Sequence, residues 1–119
     1  MKTNELTGAA LDWAVAKCEG KDISVIGSAV LLWVGKDSNI DYEPSTNWAQ
    51  GGAIIEREGI DVLKNGAIWT SLKTATAYHW HIRKSGSTPL IATMRCYVTS
   101  KLGDEVEIPD EFKHEGVNA

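Results

Sequence analysis

Ser87 or Thr88, followed by Pro89, opens and Gly103 closes the stretch that most limits how this chain can fold. A hydroxyl residue followed by proline is a helix start. The hydroxyl accepts from a backbone N–H of the first turn, and proline, which lacks that donor, fits the first helical position at no loss. Glycine at the far end takes the backbone geometry that stops a helix. Between them Leu90, Ile91, Met94, Tyr97, Val98 and Leu102 recur at helical spacing. This predicts one long helix with that set as its buried face and Cys96 almost diametrically opposite. A chain of 119 residues organised around such a helix has material for one core, not for two lobes with a cleft between them.

The remaining elements follow from caps and periodicity. Thr7 caps a first helix that runs to Glu19 and stops at Gly20. Its apolar stripe is Leu6, Ala10, Leu11, Ala14, Val15 and Cys18, with Asp12 and Glu19 opposite and Trp13 at the flank, on the side of Lys17. Residues 23–34 are rich in β-branched side chains with little polar alternation, which predicts a strand covered on both faces and bent at Gly27. Residues 35–41 read as a loop. Ser45 or Asn47 caps a short helix that ends at Glu58, before Gly59. Residues 67–72 and 75–82 predict a hairpin that turns at Lys73-Thr74, with Tyr78, Trp80 and Ile82 toward the core and His79, His81 and Arg83 toward solvent. A short strand at 106–108 is broken by Pro109. The order α-β-α-β-β-α predicts an α+β fold, three helices packed on a small, mainly antiparallel sheet. Residues 1–102 form the globular domain in this reading, and 103–119 a partly ordered acidic segment.

Charge and cysteine usage exclude several classes. At 43% hydrophobic and 24% charged residues the chain is neither disordered nor fibrous. Its longest apolar run, 29–34, is far short of a membrane span, and the N-terminus has no secretory pattern, so the expectation is a cytosolic protein with no membrane contact. The net charge of -4 is concentrated at the end, where Asp104, Glu105, Glu107, Asp110, Glu111 and Glu115 face Lys113 alone. The rest is near neutral, with Arg83-Lys84 its adjacent cations, which disfavours duplex nucleic acid as a partner. Cys18 and Cys96 stand in separate predicted helices with no CxxC spacing, so reduced thiols are expected. Cys96, opposite the core face of its helix, calls for a second covering surface, which a homodimer or a loop would supply.

Catalytic patterns are missing: there is no GxSxG, no phosphate-binding glycine loop, no dinucleotide fingerprint and no HExxH. His79 and His81, two apart on a strand, share a face at metal-compatible distance, but His114 lies in the tail and no third ligand stands nearby. No cofactor or bound metal is expected, and the balance favours a non-enzyme. The densest site-like chemistry is YEPSTNWAQGGAIIE at 42–56. Tyr42 and Trp48 offer flat apolar faces, Ser45, Thr46, Asn47 and Gln50 offer short hydrogen-bonding groups, and Gly51-Gly52 permits close approach. With Trp13 these residues form the candidate binding surface, for a protein partner or for a nucleotide or single strand stacked on Tyr42 and Trp48. The competing reading makes Trp48 a staple that fastens the helix start into the core.

Three stretches taken together resemble one family: ELTGAALDWAVAKCEG at 5–20, YEPSTNWAQGGAIIE at 42–56 and STPLIATMRCYVTSKLGDEVEIPDE at 87–111. In this order they resemble the NinX proteins of lambdoid bacteriophages and prophages, with departures at Asn47, where relatives often carry an acid, and at Ala53, where many carry proline. The resemblance implies a phage accessory protein made in the bacterial cytoplasm, with a phage or host protein as its partner. It brings no mechanism with it.

Overall fold

The computed structural model describes residues 1–75 and 80–113. Among the described residues, three α-helices and two three-stranded antiparallel sheets make an α+β fold, in which strands and helices alternate much as the caps and periodicities predict. Helix α1 spans Gly8–Glu19 and ends on Gly20 in the left-handed conformation. Helix α2 spans Trp48–Glu58, capped by Asn47 and stopped by Gly59. Helix α3 spans Pro89–Leu102, with the Thr88 hydroxyl accepting from the Ile91 N–H at 3.1 Å.

The strand regions resolve more finely than predicted. Instead of one bent strand, 23–34 is a hairpin of β1 (Ile23–Ile26) and β2 (Ala29–Trp33), to which β3 (Asn39–Asp41) adds within the predicted loop. Ile26 pairs with Ala29, so Gly27-Ser28 is a two-residue turn, and Gly27 supplies the positive φ of 62° that such turns demand. The sheet is not covered on both faces: Val30 is buried while Ile26, Val34 and Ile40 are exposed.

The second sheet holds β4 (Asp61–Asn65), β5 (Ile68–Ala75) and β6 (Trp80–Gly86). Its first turn falls at Gly66-Ala67, again with a positive glycine φ, and the predicted turn at Lys73-Thr74 lies inside β5, where Lys73 pairs with Ile82. Tyr78, His79 and His114 lie outside the described residues.

Helix α3 is the centre of the molecule. Ala92, Thr93, Met94, Cys96, Tyr97 and Val98 are all buried, so the helix is enclosed nearly all round. Cys96 does not face away from the core: its thiol donates to the Ile82 carbonyl at 3.3 Å, and the Ser71 hydroxyl donates to the Ala92 carbonyl at 2.7 Å. The small side chains at 92 and 96 admit the β4–β5–β6 sheet, while α1 packs on the opposite side. The second covering surface that Cys96 demanded is therefore the chain's own sheet. Leu102, predicted to be buried, is exposed in the last turn of α3.

The C-terminal stretch returns to the N-terminus. Met1 and Val106 exchange backbone hydrogen bonds, and Thr3 Oγ1 donates to the Gly103 carbonyl at 2.7 Å. Isolated pairing of Lys2 with Glu105 replaces the predicted strand at 106–108, and Phe112 beyond it is fully enclosed.

Candidate binding surface

The segment from Tyr42 to Gly51 joins the first sheet to α2, and most of its polar chemistry is directed inward. Asn47 accepts from the Ala49 N–H at 2.8 Å and the Gln50 N–H at 3.3 Å, which satisfies donors that a helix start leaves open. Gln50 folds back on the preceding loop, accepting from the Glu43 N–H at 2.7 Å and donating to the Asp41 carbonyl at 2.9 Å. Tyr42, Pro44 and Ser45 are buried. Gly51 is required by contact: a Cβ there would lie 2.3 Å from the Pro44 carbonyl oxygen and 2.7 Å from a Leu90 methyl.

Asp12 holds this segment to α1. It does not lie on an outer face of the helix: only 5% exposed, it accepts from the Ser45 N–H at 2.8 Å. Burial pushes its carboxyl up to about 6, an effect that the contact with Ser45 partly offsets and that the charge of Glu43 reinforces. The Ser45 hydroxyl, itself buried, has no hydrogen-bond partner among the described residues.

Two hollows open on either side of Thr46. One, of 330 Å³, is walled by Asp12, Asp41 and Glu43 together with Tyr42 and Ser28. The other, of 210 Å³, lies between Trp48 and the start of α3 at Pro89, Leu90 and Ile91. Thr46 lines both, so an acidic cleft and an apolar hollow meet at one residue. The Trp48 ring is 55% exposed and is not a staple driven into the core.

The predicted surface is thus divided. Thr46 and Trp48 face outward, Tyr42 contributes one wall from a buried position, and Ser45, Asn47 and Gln50 brace the framework. Trp13 is half-buried on α1 with the Lys17 ammonium 5.8 Å from its ring centre, and it lines neither hollow. His81 is exposed on β6. Among the described residues no three His, Cys, Asp or Glu side chains stand together as a metal site.

Sequence reasoning missed a second polar constellation. Arg57 on α2 makes a two-pronged pair with Glu19 on α1, at 2.9 and 2.6 Å, and the Tyr97 hydroxyl on α3 donates to the same carboxylate. These hydrogen bonds, the Arg57 one above all, hold the Glu19 carboxyl below the usual range, and burial with Glu19 beside it raises the Tyr97 phenol. Glu58 extends the network to Lys73 on β5 at 3.5 Å. The arrangement ties the ends of α1 and α2 to the body of α3. A carboxylate, arginine and tyrosine scattered over 78 positions gave no local signal.

Fold and surface together define a small α+β protein built around one central helix, with paired acidic and apolar hollows at the helix starts. No helix is long and apolar enough to cross a membrane, among the described residues. A family model described as Bacteriophage P22, NinX matches residues 2–101, which takes in both sheets and the three helices up to the last residue of α3, and the chain belongs to that phage family. No curated protein matches it.

Proposed function

We propose that this phage protein is a non-enzymatic accessory protein of the nin-region type. In this reading it acts in the cytoplasm of the infected bacterium by gripping a phage or host protein at the two hollows beside Thr46. The observation that carries the reading is the junction itself: an exposed indole over an apolar hollow, continuous through Thr46 with a cleft whose charged groups are all acids. Such a junction suits a segment that offers an apolar side chain to Trp48 and a neighbouring lysine or arginine to the cleft. Tyr42 and Trp48 do not form a paired stacking platform, because Tyr42 is buried, and the cleft's acids repel phosphate, so a nucleotide or single strand fits less well.

The test is affinity capture from infected cells with the wild type and with Trp48→Ala, Glu43→Lys and, as a control on a distant face, Leu63→Ala. Loss of the same captured protein with the first two variants and its retention with the third is expected. Unchanged capture by a folded Trp48→Ala protein would overturn the proposal.

A further inference from the structure

The β4–β5–β6 sheet has one face on α3 and one face open. Ser71 marks the inner face through its bond to the Ala92 carbonyl, so residues one position away along β5 point outward. Strand register then places Asp61, Leu72 and Arg83 in one row across the outer face, and Leu63, Thr70 and Ser85 in the next. A hollow of 540 Å³ lies over this face, lined by residues of the three strands alone. Leu63 is 70% exposed at its rim, and Ile68 51% exposed beyond it.

The charges in this row carry the inference. Asp61 and Arg83 are both exposed, and neither makes an ion pair among the described residues. They sit on the outer strands, about 10 Å apart at two strand spacings, with Leu72 between them, and do not pair with each other. A second copy removes that obstacle. If two such faces meet about a two-fold axis parallel to β5, then β4 of each copy lies over β6 of the other. Asp61 then stands opposite Arg83 twice over, and Leu72 meets its own counterpart on the axis. An axis running across the strands would instead set Asp61 against Asp61 and Arg83 against Arg83. The distribution of charge therefore selects one of the two face-to-face symmetries.

We infer that the protein forms a homodimer through the open face of this sheet, with strands aligned and reciprocal Asp61–Arg83 pairs flanking Leu72. Three strands at about 4.8 Å spacing give a footprint of only a few hundred Å² per copy, below the roughly 800 Å² of a standard interface, so the dimer is a weak one.

Sedimentation equilibrium from about 10 to 500 μM on the full chain tests this, with Asp61→Arg, Arg83→Asp and the double reversal, each checked for native circular dichroism. Each single reversal sets like charges against each other and is expected to weaken the dimer about tenfold or more, while the double reversal restores it to within about threefold of wild type. Trp48→Ala leaves the dimer intact, which separates this inference from the proposed partner site. A wild type that stays monomeric throughout, or a folded double reversal no better than the single ones, overturns it.

Discussion

Replacing Asp12 by asparagine isolates the electrostatic cost of burying a carboxylate in this fold. Asparagine keeps an oxygen that can accept from the Ser45 N–H, so the link between α1 and the 42–51 segment survives while the ionisation is removed. In the folded protein the carboxyl is raised from the ordinary aspartate value of 3.8 to about 6, chiefly by burial. A folded value above the unfolded one means that the protonated form favours folding. That contribution is fully present below about pH 4 and is lost as pH rises through about 6. The size follows from the shift: two pH units and a little more at 1.36 kcal/mol each is about 3 kcal/mol. Urea unfolding of wild type and Asp12→Asn, followed by tryptophan fluorescence between about pH 4 and pH 7.5, measures the difference directly. The two proteins should be close in stability at the acid end. The variant should gain on the wild type by up to about 3 kcal/mol toward neutrality, with half the change reached before pH 6. A difference that does not vary with pH would refute the account of Asp12 as a desolvated carboxyl.

Gly51→Ala should destabilise by about 1–3 kcal/mol, because the new methyl meets the Pro44 carbonyl and Leu90, while Gly52→Ala, whose Cβ has Trp48 at a comfortable 3.6 Å, should stabilise α2 by up to about 1 kcal/mol. Thermal melts of the two neighbours should therefore move in opposite directions. Glu19→Gln should cost about 1–2 kcal/mol at neutral pH, discounted because Arg57 is half-exposed. The Glu19 carboxyl is held below its ordinary value, so its contribution is present above about pH 4.5 and lost as pH falls through the folded value, opposite in sign to that of Asp12. Denaturant titrations at about pH 3 and pH 7 check this, with a gap between wild type and Glu19→Gln at the higher pH only.

The helices were legible because their signals are local. Thr88-Pro89 and Asn47 fix starts, and Gly20, Gly59 and Gly103 fix ends, within one turn of the residues concerned. The strands were legible as strand-forming regions but not as a topology. The β1–β2 and β4–β5 turns both open on glycine, Gly27-Ser28 and Gly66-Ala67, and each pairing depends on where the next apolar run stands. Reading 23–34 as one strand hid the first turn, and starting the later hairpin at residue 67 overlooked β4 and the turn at Gly66-Ala67 before it. The face of α3 misled for a different reason: helical periodicity finds one buried stripe, whereas a central helix is buried on two sides. The position of Cys96 opposite the main stripe was the trace of that second layer.

The candidate surface shows the same limit in chemical form. Composition correctly marks 42–56 as dense in polar and aromatic groups, but whether an amide faces a ligand or a backbone depends on what folds over it. Gln50 is engaged by Asp41 and Glu43, and the Asn47 side-chain oxygen by its own helix, so these groups brace the fold whatever else they meet. Asp12 went the other way. On the helical wheel it sits among exposed positions, and it becomes buried because the 42–46 segment crosses α1 at that point. The same crossing forms the cleft that Asp12 lines and gives it the raised pKa. A cationic side chain entering that cleft would favour the ionised carboxyl that burial disfavours. Binding and ionisation at this position are therefore linked: a basic ligand that draws the Asp12 carboxyl down must bind more tightly at pH 7 than at pH 5, and Asp12→Asn must abolish the difference.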